Sequence, residues 1–180
     1  MILFETAPAF EHIEGKVVFL RVDFNVPIEN QKVTDTTRID ASLPTIQKLR
    51  QMGARIVLAS HLGRPKGKKN PAFSMLPVGE KLAEILNEEI ILADDCIGDG
   101  VGKLITDLRP SKMLLLENLR FYAEEENNDE NFAKALAKKS DFYINDAFGS
   151  SHRSHASIVG IPKFVNASAF GHLMHKEIFH

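Results

Sequence analysis

The chain has 180 residues, with Lys plus Arg at 22 and Asp plus Glu at 24, for a formal net charge of −2. A balance of 44% hydrophobic and 26% charged residues is that of a folded globular protein, which excludes a disordered chain and argues against a general polyanion binder. A single cysteine, Cys96, excludes an internal disulfide and a Cys-rich zinc site, and fits a reducing, cytoplasmic compartment.

In chain order, the opening stretch from Met1 to Glu14 lacks the layout of a signal peptide. Val17-Val18-Phe19-Leu20 then gives the first of five short apolar runs. Ile39, Leu43, Ile46 and Leu49 recur at helical spacing, with Gly53 as the stop and Pro44 expected in the first turn. Ile56-Val57-Leu58-Ala59 follows as the second run, and Gly63 to Pro71 reads as an exposed loop. Val78, Leu82, Ile85 and Leu86 form a second helical stripe before Ile90-Ile91-Leu92, and Met113-Leu114-Leu115-Leu116 is the fourth run. The acidic stretch Glu124 to Glu130 lacks the oxygen-ligand spacing and central glycine of a calcium loop, so it reads as a solvated helix entry. Asp129 and Glu130 open a third helix around Phe132 and Leu136, and Lys138 and Lys139 close it, as the helix dipole favours. Phe142-Tyr143-Ile144 is the last run.

None of the five runs alternates apolar with polar residues, so each is expected to be buried on both faces. Strand alternating with helix predicts an α/β fold: a three-layer, doubly wound, Rossmann-like parallel sheet with helices on both faces. No apolar run nears the ~18 residues that a membrane span needs.

In such a sheet, ligands bind beyond the carboxyl ends of the strands. Here those ends lead into Asp23 and Asn25, into His61 and Arg64, into Arg120, and through Asn145-Asp146 into Arg153, while Arg38 enters the first helix on the same edge. A lone loop arginine reads as a solvated surface charge. Four at consecutive strand-to-helix junctions read as a site for a small anion of more than one charge, because the guanidinium fork matches phosphate and carboxylate oxygens. Asp23 and Asn25 suit a ligand hydroxyl or the orientation of an arginine. A phosphorylated hydroxy acid fits that set. Lys66, Lys68 and Lys69 read as steering or solvating charges.

Other signals fail. Gly98 to Lys103 has three residues between Gly98 and Gly102 where a phosphate loop needs four, and Leu104 stands where Ser or Thr is required. No nucleotide site is legible. His172 and His175 have chelating i,i+3 spacing but no evident third ligand, and Cys96 beside Asp94 and Asp95 reads as an inert thiol. With two tyrosines and no tryptophan, no interleaved aromatic and basic pattern marks a nucleic-acid binder.

Five blocks carry a resemblance: Arg21-Val22-Asp23-Phe24-Asn25-Val26-Pro27, Arg38-Ile39 with Leu43-Pro44-Thr45-Ile46, Ser60-His61-Leu62-Gly63-Arg64-Pro65, Leu116-Glu117-Asn118-Leu119-Arg120-Phe121, and Asn145-Asp146-Ala147-Phe148-Gly149 with His152-Arg153. In this order the chain resembles the amino-terminal domain of phosphoglycerate kinase. The resemblance implies reversible phosphoryl transfer between ATP and 3-phosphoglycerate, giving ADP and 1,3-bisphosphoglycerate. It implies that Asp23 and Asn25 meet the substrate's hydroxyl and carboxylate region. It further implies that His61, Arg64, Arg120 and Arg153 bind its phosphate and that Arg38 faces the transferred group. It places residues 1–170 in the substrate domain and 171–180 at the start of an interdomain hinge helix. On the same resemblance, the carboxy-terminal domain that holds magnesium-nucleotide is expected to lie outside these 180 residues. The expected behaviour is a fragment that binds substrate without catalysing alone, with an apolar patch near Phe170, Leu173, Ile178 and Phe179. The alternative is a stand-alone, non-catalytic anion-binding module.

Overall fold

A computed structural model describes residues 1–180. In chain order its elements are β1 (Val17–Val22), β2 (Ile28–Glu29), β3 (Lys32–Val33), α1 (Thr37–Gln51), β4 (Arg55–Ala59), α2 (Leu76–Leu86) and β5 (Ile90–Leu92). Then come α3 (Asp99–Asp107), β6 (Met113–Leu115), α4 (Ala123–Glu126), α5 (Glu130–Ala137), β7 (Phe142–Asp146), β8 (Ala167–Phe170) and α6 (His172–Phe179). Six strands pair in parallel in the order β5-β6-β4-β1-β7-β8, while β2 and β3 form a small antiparallel hairpin. The expected doubly wound α/β architecture is present.

Strands β1, β4, β5, β6 and β7 send alternate side chains into two separate cores. Val18, Leu20 and Val22 of β1 join Ile39, Ile46 and Leu49 of α1 and Leu82 of α2. Val17 and Phe19 face the other way, onto Val101 and Ile105 of α3 and Phe132 of α5. Burying each such side chain contributes about 1.5–3 kcal/mol relative to leaving it in water. The unbroken apolar runs follow from this, because both faces of the central strands are covered.

The helix ends follow the expected chemistry. Asp129 accepts the Phe132 N–H at 2.8 Å and so caps α5. Gly53, at φ +77°, ends α1 in the left-handed conformation that glycine permits.

One expectation is corrected, and three elements appear that the sequence pattern did not announce. Pro44 lies well inside α1, which begins at Thr37, so the Asp40 carbonyl lacks its helical donor. Gly98 to Lys103 opens α3, a helix hidden in sequence by its glycines. The short strand β8 extends the sheet beyond β7 and bridges to Leu3. Its four residues include Ser168 and gave no apolar run. The hairpin β2–β3 turns through Asn30 and Gln31 at positive φ and carries too few residues for a periodic signal. No helix is long and apolar enough to cross a membrane.

A candidate anion-binding site

The loops leaving β1, β4 and β6 are stitched together by small buried polar side chains. Phe24 N–H, just after β1, donates to Ser60 Oγ at 2.8 Å, just after β4. Asn25 Oδ1 accepts the Gly63 N–H at 2.9 Å. Asn118, fully buried after β6, accepts from the N–H groups of Leu62 and Arg120 and donates to the carbonyls of Leu62 and Phe73. Gly63 stands at φ +61°, and a Cβ there would lie 2.5 Å from the Phe73 ring. Glycine is required on both counts.

These loops enclose a cavity of about 270 Å³, and it is lined by Asp23, Asn25, Arg38, His61, Arg64, Arg120 and Arg153, together with Gly63, Gly149 and Ser150. All seven residues singled out in the sequence meet here. No lining side chain is apolar, and four guanidiniums face one carboxylate. Arg38 Nη1 lies 3.2 Å from Asp23 Oδ1 and donates to the Asn25 carbonyl at 3.1 Å. Asp23 therefore orients an arginine, one of the two roles open to it in the sequence. Arg120 is buried and donates to the Gly63 carbonyl, with its Nε left without a partner. Arg64 and Arg153 stand exposed at the rim. Gly149 allows the closest approach: a Cβ there would sit 2.5 Å from Asp23 Oδ2. Such a cluster repels itself unless an anion occupies it, and its small volume limits that anion to a few heavy atoms.

Beneath the cavity lies what the sequence reading missed. Arg21 is completely buried, on the same face of β1 as Val17 and Phe19. Its Nε donates to Ser157 Oγ at 2.8 Å, its Nη1 donates to the Val22 carbonyl, and its Nη2 lies 3.0 Å from His61 Nδ1. Ser157 sits on a π-helical turn, Ala156–Gly160, and gives its N–H and O–H to Glu125 at 2.8 and 2.5 Å. Glu125 is fully buried, which corrects the reading of residues 124–130 as a solvated entry. Burial raises its carboxyl above the usual range, while Arg21 and the Ser157 donors pull it back. The missed signal was Arg21 itself: a guanidinium in a strand buried on both faces demands a buried anion.

His61 is pushed down to about 2, first by burial and then by the positive charges of Arg21 and Arg120. It is therefore neutral at physiological pH.

The remaining candidates lie elsewhere. His172 packs on Phe4 and pairs with Glu5, whereas His175 packs on Phe179, so the two do not converge on one site. No group of three His, Cys, Asp or Glu side chains is placed to hold a metal ion. Cys96 is buried, its thiol donates to the Glu117 carbonyl at 2.9 Å, and burial raises its pKa, consistent with an inert group. A larger cavity of about 560 Å³ lies between α3 and α5, with lysines 103, 138 and 139 around a partly apolar floor. It lacks the convergent arginines, so the smaller cavity is the better candidate.

Comparison with known proteins agrees with this fold. The sequence profile of phosphoglycerate kinase matches residues 9–180. A phosphoglycerate kinase of Geobacter metallireducens is 55% identical over 169 residues, covering 93% of this chain and 42% of that protein. The cytosolic enzyme of Triticum aestivum is 54% identical over 167 residues, covering 92% and 41%. Among solved structures, phosphoglycerate kinase from Pyrococcus horikoshii OT3 superposes with a TM-score of 0.87 at 33% identity, over 99% of this chain and 44% of that one. That from Coxiella burnetii gives 0.84 at 35% identity, over 95% and 42%. The chain thus spans less than half the length of the relatives it matches, and over that span it belongs to the phosphoglycerate kinase family.

Proposed function

We propose that these residues form the acid-substrate half of a phosphoglycerate kinase, binding 3-phosphoglycerate or 1,3-bisphosphoglycerate during reversible phosphoryl transfer with ATP and ADP. The observation that carries this reading is the convergence of Asp23, Asn25, Arg38, His61, Arg64, Arg120 and Arg153 on one wholly polar cavity. In this reading Arg64, Arg120, Arg153 and His61 grip the phosphate, and Asp23 and Asn25 meet the hydroxyl and carboxylate region. The nucleophile is a carboxylate, already ionised at neutral pH, so no general base is required. The protein's task is to position it and to neutralise charge on the transferred group. Arg38, exposed at the mouth and held by Asp23, is the residue for that second role.

Magnesium-nucleotide is assigned to a domain outside these 180 residues. What supports that reading is the sequence pattern, since Gly98 to Lys103 is one residue short of phosphate-loop spacing. In this reading residues 1–170 make up the substrate domain, and residues 171–180, which contain α6, begin the helix towards the nucleotide domain. Ile178 and Phe179 on α6 are exposed, whereas Phe170 and Leu173 are partly covered, so the expected apolar patch narrows to the end of the helix. The chain alone is expected to bind acid substrate, to be catalytically silent, and to reside in the cytoplasm.

Calorimetric titration with 3-phosphoglycerate tests the proposal. Saturable binding that weakens with salt, falls about 10–100-fold in Arg64→Ala or Arg153→Ala, and has no counterpart with ATP supports it. Absence of binding, or equal affinity in those variants, overturns it. Arg38→Ala in a chain carrying the nucleotide domain is expected to abolish turnover while weakening substrate binding less.

A further inference from the structure

The hydrogens of the buried chain beneath the cavity can be placed by elimination. A guanidinium only donates, so the Arg21 Nε–H at 2.8 Å from Ser157 Oγ must donate to it. The one hydroxyl proton of Ser157 is then left for Glu125 Oε2, at 2.5 Å, while the Ser157 N–H serves Oε1. Glu125 is thereby an acceptor at both oxygens. At the other end, Arg21 Nη2 lies 3.0 Å from His61 Nδ1 and must donate there, so Nδ1 carries no proton. On a neutral ring the proton then resides on Nε2, which has no protein partner, and the ring lines the cavity. The charged groups felt by the ring are Arg21, Arg120 and Arg38, with His155 alongside. None of them accepts from Nε2.

We propose that Glu125 and Ser157 are positioning residues: acting through Arg21, they lock His61 in the Nε2–H tautomer, so that the site offers an oxygen anion a neutral donor among its arginines. This rests on the reading of the cavity as an anion site. Its consequence follows from elementary electrostatics. The opposite tautomer would turn a nitrogen lone pair towards the anion and repel it. A charged ring would crowd one more cation against four guanidiniums. Neither Glu125 nor Ser157 touches the cavity, and both are completely buried, so their effect must pass through Arg21 and His61.

The test is long-range proton–nitrogen NMR of the His61 ring in the 180-residue chain without ligand, combined with titration of inorganic phosphate and of 3-phosphoglycerate. Wild-type protein is expected to show a single Nε2–H tautomer. Ser157→Ala, which removes the Arg21 acceptor, is expected to give a mixture of tautomers and about tenfold weaker anion binding. Ser157→Thr, which keeps the hydroxyl, is expected to restore both. Glu125→Gln, nearly the same shape, is expected to shift the tautomer balance in the same sense. An Nδ1–H ring in the wild type overturns the proposal with no variant required. An unchanged tautomer in both Ser157→Ala and Glu125→Gln also overturns it. Failure of wild-type protein to bind either anion, with the tautomer pattern as expected, would instead count against the anion reading.

Discussion

The arginines of the carboxyl edge divide into two groups. Arg21 lies sealed under the cavity with partners at all three nitrogens, whereas Arg38, Arg64 and Arg153 stand in water at its rim. The same side-chain type therefore does two different jobs around one cavity. A buried guanidinium is a strut, since its charge is tolerable only while Glu125 and Ser157 answer it. An exposed one carries little stability and keeps its donors available to a ligand. Arg120 falls between, buried yet with an unpartnered Nε.

The sharpest way to break this division is to remove an answering charge. Glu125→Ala leaves the Arg21 charge buried without its compensating anion, and is expected to cost about 3–5 kcal/mol in urea denaturation. Arg153→Ala at the rim is expected to change stability by no more than about 0.5 kcal/mol. Comparable losses in the two variants would erase the distinction. A smaller effect is expected at Gly149→Ala, where the added methyl must displace Asp23 and with it Arg38. A cost of about 1–3 kcal/mol is expected, together with weakened binding of 3-phosphoglycerate, and calorimetry at fixed salt checks both.

Two buried titratable groups, Asp146 and His61, are shifted in opposite directions. Asp146 ends β7, accepts from Met174 N–H of α6, and is pushed up to about 6, chiefly by burial. The folded protein holds that proton more tightly than the unfolded chain, whose carboxyl titrates near 4. Its contribution to stability therefore declines as pH rises from about 4 to about 6. His61, pushed down to about 2, acts in reverse: the unfolded chain takes up a proton below about 6.5 that the folded one refuses, so its contribution is lost as pH falls. Denaturation across this range is expected to show a slope between pH 4 and 6 that Asp146→Asn makes more positive and His61→Asn makes less so. The smallest effect is expected at Lys68→Ala, on the exposed loop, where affinity changes less than about twofold at physiological salt.

The rim was legible in the sequence because topology alone carries residues at strand ends to one edge. Five unbroken apolar runs marked five of the six strands of the sheet, and arginines at successive junctions then had to meet. The strut was not legible in the same way. Glu125 lies in an acidic stretch whose neighbours are exposed, and Ser157 is one serine among several. Only the π-helical turn, a tertiary feature, brings its oxygen between Glu125 and Arg21. Strand β8 and helix α3 escaped for a related reason: their glycines, serines and short lengths carry little periodic signal, and packing against the sheet decides their form.

The central claim is that a small multiply charged acid sits among the four rim and floor guanidiniums. Mapping backbone amide shifts of the chain during titration with 3-phosphoglycerate tests it directly. The account predicts saturable changes confined to Asp23–Asn25, His61–Arg64, Arg120 and Gly149–Arg153. Saturable changes centred instead on Lys103, Lys138 and Lys139, at the larger cavity between α3 and α5, would contradict it.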